Sequence, residues 1–141
     1  MTSNNNTQAN ILKDLIKQDN FDFNKAIEAM TQKFIGILSI SKKAGKIIYG
    51  FDSVQKASLY GEIEVIYLAC DLSEKTKSNI IFFCSQNNSE VICTDFTMDE
   101  FHFMMGRKTG IISISDKGLC LKAKDYYNDL INLKTLQSSS N

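Results

Sequence analysis

Apolar residues recur along this chain in two rhythms, one helical and one strand-like. Ala26, Ala29, Met30, Phe34, Ile37, Leu38 and Ser41 fall on one face at helical spacing, which predicts a helix over Ala26–Lys43. Gly45 follows its last turn, and Lys42 and Lys43 lie just before it, as a helix C-terminus favours. Lys46–Tyr49 reads as a short strand. Glu64–Cys70 is almost wholly apolar, the pattern of a strand covered on both faces. Glu90–Thr94 and Gly110–Ser115 are two further strands. Ser73–Gln86 reads as a helix burying Ile80, Ile81, Phe83 and Cys84, and Leu119–Leu133 as a closing helix.

Three helix starts carry the spacing of a capping box: Asp52 with Gln55, Asp71 with Glu74, and Thr97 with Glu100. In such a box a short polar side chain accepts from free backbone N–H groups, and the residue three positions on bonds back. The sum is a strand–helix alternation of about four strands and five helices. That pattern predicts an α/β fold, a three-layer α-β-α sandwich around a central mixed sheet of about four strands.

The ends differ from this centre. Met1–Gln8 is rich in Asn, Thr and Ser; Ile11, Leu12, Leu15 and Ile16 predict a short helix over Ile11–Gln18; Gln18–Asn24 breaks it. The expected layout is a partly disordered N-terminal extension over 1–25, one domain over 26–134 and a disordered tail over 135–141.

Charge changes the picture more than composition does. The 141 residues fit one domain, and 43% of them are hydrophobic, enough for a real core. Sixteen basic and sixteen acidic residues cancel, which argues against a protein that coats nucleic acid non-specifically. The cancellation hides a polar distribution. Residues 31–60 carry five Lys against one Asp, residues 61–100 carry eight acids against two Lys, and residues 101–141 carry six basic residues against three Asp. Two basic segments flank an acidic one, and a fold could bring the basic pair together.

Catalytic and metal templates are poorly served. Cys70, Cys84, Cys93 and Cys120 form no C-x-x-C pair and share the chain with one His, so they read as free, buried thiols of a reducing cytosol, with no metal site expected. There is no G-x-G-x-x-G, no Walker lysine loop and no G-x-S-x-G elbow. His102 sits among Phe and Met, where a packed or half-exposed ring is the ordinary role. Asp71 follows a buried strand, where open α/β sheets place ligand groups, but its capping spacing already accounts for it. The expectation is a non-catalytic protein needing no cofactor. Met1–Asn10 is polar and no run of about 18 apolar residues occurs, so the expected location is the cytoplasm.

Two stretches carry candidate binding chemistry. In the turn from Lys42 to Lys56, Lys42, Lys43, Lys46 and Lys56 surround one strand and the start of a helix. Gly50 allows close approach of a ligand to the backbone, and the helix start at Asp52 and Ser53 offers free amides that favour phosphate. The second stretch is Met105-Gly106-Arg107-Lys108-Thr109, which holds the chain's one Arg. A guanidinium there can grip phosphate or stack on a base, and Met105–Thr109 can close over an unstacked base. The residues by themselves also fit solvated lysine faces.

At these residues the chain resembles the superfamily of kink-turn-binding ribosomal proteins of archaea and eukaryotes, and most of all its bacterial YlxQ-like branch. The likeness runs from about Lys33 to Ala123. Phe34–Gly50 is similar to the opening helix of that family with its basic-Ala-Gly-Lys ending, here Lys43-Ala44-Gly45-Lys46. Val54-Gln55-Lys56-Ala57 matches the start of its second helix, Val65–Lys77 its strand leading into Ala-x-Asp-x-Ser, and Gly106–Gly118 its late loop, last strand and Asp-Lys-Gly ending. The family's second helix carries Gly-x-Asn-Glu-x-x-Lys; here Gly50 and Lys56 keep their places, and Asp52 and Ser53 replace Asn and Glu. The resemblance implies an α-β-α sandwich that holds bent RNA at the two basic stretches. The implied partners are a kink-turn, ribosomal or other structured RNA and, beside it, ribosomal or translation-factor proteins. The alternative is a protein-interaction module on the same fold, using the acidic stretch 61–100 and the added residues 1–30.

Overall fold

A computed structural model of the protein describes residues 21–140. The short helix expected over Ile11–Gln18 lies outside the described residues, as does most of the N-terminal extension. The described chain contains helix α1 (Phe23–Lys43), strand β1 (Ile47–Tyr49), α2 (Phe51–Leu59), β2 (Val65–Leu68), α3 (Glu74–Asn87), β3 (Glu90–Cys93), α4 (Met98–Met105), β4 (Ile111–Ile114) and α5 (Lys117–Ser140). Phe34–Lys124 forms one compact unit; residues 21–33 and 125–140 fall in a second. The α/β class, the four-stranded mixed sheet and the sandwich are as the sequence predicts.

In the larger unit the sheet order is β1-β4-β2-β3. β2 and β3 are parallel and joined by α3, while β4 runs antiparallel to both of its neighbours, β1 and β2. β4 comes last in sequence but lies between β1 and β2. Residues near 50 therefore become neighbours of residues near 110.

Each sheet face is covered by helices, which explains why β2 and β4 are buried along their full length. On one face, Ile66, Leu68 and Ile111 pack with Val54 and Ala57 of α2 and Ile80 and Cys84 of α3. The end of α2 is tied to the turn between α3 and β3 by a buried Ser58–Ser89 hydroxyl hydrogen bond of 2.6 Å. On the other face, the Tyr67 ring meets Phe34 of α1 edge-on at 5.5 Å, and Phe34 stacks on Phe96 at 5.8 Å. The same face takes the first turns of α5, where Cys120 touches the backbone of Val65.

Local chemistry ends α1 as expected. Gly45 adopts φ 70°, its N–H donates to the Lys42 carbonyl, and the Lys46 N–H reaches back to the Ser41 carbonyl. These two bonds satisfy carbonyls that a helix end otherwise leaves open. The buried stripe is Phe34, Ile37, Leu38 and Ser41.

Several sequence expectations are corrected. Of the three capping boxes only Thr97–Glu100 forms, with both reciprocal bonds. Helix α2 starts one residue earlier than Asp52, with Gly50 as its N-cap and no side-chain cap. Helix α3 is capped by Ser73, which accepts from the Thr76 N–H, so Asp71 does not cap the helix that follows it. Asp71 instead accepts from the N–H of Met98 at 2.8 Å, capping α4 from 27 residues away in sequence. On α3, Ile80 and Cys84 are buried and Phe83 is half-buried, but Ile81 is 48% exposed, because it falls on the flank turned away from α2 and the sheet. Cys84 and Cys120 are buried thiols, whereas Cys70 and Cys93 are exposed: β3 is an edge strand, and Cys70 lies beyond the covered part of β2. Helix α5 continues through residues 135–140, the segment expected as a tail.

In the smaller unit, Tyr127, Leu130 and Leu133 of α5 are buried at helical spacing, and Gln137 donates to Asn24 of α1 at 2.8 Å. Asp129 lies in this unit near Asp125 and Lys33. Burial, with the neighbouring Asp125 charge, raises its carboxyl above the ordinary range, and Lys33 only partly offsets this.

Candidate nucleic-acid interface

Strands β1, β2 and β3 all end at the same edge of the sheet, and the loop entering β4 lies at that edge too. This is the edge where open α/β sheets gather ligand groups. The two candidate basic stretches approach each other here.

Gly50 makes the turn from β1 into α2. Its backbone sits at φ 83°, ψ 166°, a region open in practice only to glycine. Its N–H donates to the Ile111 carbonyl at 2.9 Å, and its carbonyl accepts from the Val54 N–H. The turn is thus pinned to β4 on one side and opens α2 on the other. With no side chain capping α2, the first-turn amides at Phe51, Asp52 and Ser53 are left for solvent or a ligand. Asp52 and Ser53 are exposed there, and Lys56 is exposed one turn further along.

The second stretch closes against the first. Gly106 ends α4 in the left-handed region at φ 72°, its N–H donating to the His102 carbonyl. A Cβ placed on Gly106 would lie 2.9 Å from the Lys42 Nζ, so the ammonium at the end of α1 rests against this glycine. Arg107 lays its guanidinium over the Tyr49 ring, 4.3 Å from the centroid. That distance is a cation–π contact, which holds the Arg107 charge over the ring. Tyr49 pairs with Ile112 across β1 and β4, which puts the ring beside the loop. Among the described residues, none of Lys42, Lys43, Lys46, Lys56, Arg107 and Lys108 is in an ion pair with a carboxylate.

The remaining candidates separate. Lys43 is exposed on the last turn of α1, and Lys108 is exposed on the second loop. Lys46 precedes β1 and its carbonyl accepts from Ser115, so its backbone stands at the other end of that strand, about 13 Å from Gly50 at the usual rise. Thr109 is half-buried and turned inward: its hydroxyl donates to the Ile111 carbonyl and accepts from the Ile111 N–H, shaping the loop. Met105 is 0% exposed, a core residue of α4, and cannot close over a base. Spacing explains the error, since Phe101 and Met105 lie four apart and form the inward stripe of α4.

Two relevant side chains escaped the sequence reading. Tyr49 carries no sign of its role until β1 is paired with β4. Phe103 is 91% exposed on α4. Its place off the Phe101–Met105 stripe was the available signal. Burial raises the Cys84 and Cys120 thiols above their ordinary range, with Glu64 adding to the effect at Cys120. Among the described residues no three His, Cys, Asp or Glu side chains cluster as a metal site, and no helix is long and apolar enough to cross a membrane.

No family model matches this chain, and no curated protein matches its sequence. Solved structures do match its fold. A protein of unknown function from Bacillus halodurans aligns with a TM-score of 0.61 at 19% identity, covering 68% of this chain and 97% of that one. A 15.5kD RNA binding protein from Giardia lamblia aligns with a TM-score of 0.57 at 12% identity, covering 74% of this chain and 90% of that one.

Proposed function

We propose that this chain is a non-catalytic RNA-binding domain that holds a bent, structured RNA across the Gly50 turn and the Gly106–Thr109 loop. The observation that carries the reading is the meeting of two basic segments that lie some sixty residues apart in the chain, with Lys42 against Gly106 and Arg107 over Tyr49. That the Giardia lamblia neighbour is an RNA binding protein supports it. Lys42, Lys43, Lys56 and Lys108 hold phosphates, and the Arg107 guanidinium presents its donor edge to a phosphate or a base. Gly50 lets the backbone approach closely, and the uncapped amides of α2 face the ligand. Asp52 accepts from a base amino group, and Ser53 accepts or donates over a shorter reach. The proposed ligand is a kink-turn or similarly bent element of ribosomal or other cytoplasmic RNA, with translation proteins as neighbours. Thr109 shapes the loop from within, and Lys46 contributes charge from the far end of β1.

The test is a fluorescence titration of a kink-turn RNA and a straight duplex of equal length, each at two salt concentrations. Selective, salt-sensitive binding of the kinked RNA is expected. Lys56→Glu is expected to weaken it by about tenfold or more and to lower the salt slope by about one contact. Unchanged affinity in that variant sinks the reading. A second reading, a protein-interaction module, is favoured by Phe82, 68% exposed beside the exposed Ile81 on α3. A partner captured without RNA, and lost on Phe82→Ser, would support it.

A further inference from the structure

We propose that Phe103 is a base-stacking platform, against which an unstacked nucleobase of the bound RNA lies. The inference rests on the RNA-binding reading above and adds a subsite to it. Phe103 is the most exposed of the large apolar side chains among the described residues, at 91%. The core makes no use of it, because α4 anchors itself through Phe101 and Met105, both fully buried.

Position narrows what the ring is for. Phe103 lies one turn before Gly106, on the helix whose end delivers Arg107 to the Tyr49 ring and receives the Lys42 ammonium. An open aromatic ring and two cations therefore gather at one end of α4. That combination is the one that holds unpaired nucleotides: cations take the backbone, and the ring takes the face of a base. The opposite end of α4 is negative, with Asp99 and Glu100 exposed one turn earlier. Phosphate is thereby kept to the Arg107 side, and the uncharged base is the part of a nucleotide suited to the ring. A hydrophobic protein partner would need a continuous apolar patch. Phe103 instead stands among exposed Asp99, Glu100, His102, Gly106 and Arg107.

The experiment titrates wild type, Phe103→Ala and Phe103→Trp against a kink-turn RNA and against the same RNA with one abasic site at each unpaired position in turn. A thermal melt checks that each variant is folded, which exposure of the ring makes the expected result. Phe103→Ala is expected to weaken the intact RNA by about tenfold. It should leave one abasic RNA nearly unaffected, and Phe103→Trp should restore the loss. The salt slope should not change, since no charge is removed. Equal affinity of Phe103→Ala and wild type for the intact RNA, or an equal loss on the intact and every abasic RNA, overturns the platform and leaves RNA binding standing. No binding of any RNA by wild type overturns both readings, and that failure is visible before a variant is compared.

Discussion

Gly106→Ala tests whether the two basic segments act as one surface. Gly106 sits at φ 72°, where an L-residue costs about 1–2 kcal/mol. The lost freedom of the unfolded chain returns about 0.4–1 kcal/mol. The net destabilisation is therefore about 1 kcal/mol, a fall in Tm of roughly 3–5 °C for a domain of this size. The new Cβ would also lie 2.9 Å from the Lys42 Nζ. That neighbour is the tip of a flexible side chain, so it moves, and the damage falls on where the ammonium points more than on the fold. If Lys42 holds one phosphate, its loss lowers the salt slope by about 0.9 and the affinity near 0.1 M salt by about eightfold. The assay pairs a thermal melt with RNA titrations at several salt concentrations for Gly106→Ala, Lys42→Ala and the double variant. The two changes share one interaction, so the double variant should bind no more weakly than Lys42→Ala. A variant that melts earlier yet keeps wild-type affinity and slope, or losses that add fully, would refute the argument that Gly106 acts by seating Lys42.

Two further predictions concern the frame around the site. Asp129→Asn should raise Tm near neutral pH, because burial disfavours the charged carboxylate that the fold must keep there. The folded carboxyl titrates above its unfolded value, so the cost is present above the folded pKa, shrinks as pH falls through it and vanishes below about pH 4. A Tm difference that is negative at pH 7, or that ignores pH, counts against this assignment. Ser58→Ala leaves the Ser89 hydroxyl buried without its 2.6 Å partner and should cost about 1–3 kcal/mol in chemical denaturation. Adding Ser89→Ala should recover part of that loss; a double variant as unstable as the sum of the singles would show that the hydroxyl pair is not what joins α2 to the turn before β3.

What could be read in advance was what neighbours in sequence decide. The Phe34, Ile37, Leu38, Ser41 stripe and the Gly45 ending specify α1 within a few turns of chain. The apolar run of β2 requires cover on both faces, and Thr97 with Glu100 completes its capping box within four residues. These local and periodic signals were enough for the class of fold and for the two charged stretches. They could not choose between Ile81 and Phe83, because α3 carries apolar residues on several sides and only the position of α2 and the sheet selects the inner one. Nor could they show that Asp71 caps α4 or that Cys93 lies on an edge.

The site itself belongs to the tertiary structure. Residues 42–56 and 105–110 announce positive charge, but nothing within either stretch says that they touch. Insertion of β4 between β1 and β2 decides it: Tyr49 comes to lie opposite Ile112, and the Gly50 N–H donates to the Ile111 carbonyl, partners more than sixty positions away. The same packing turned Met105 inward and left Phe103 in water, since a helix has one face to bury and the sheet determines which face that is.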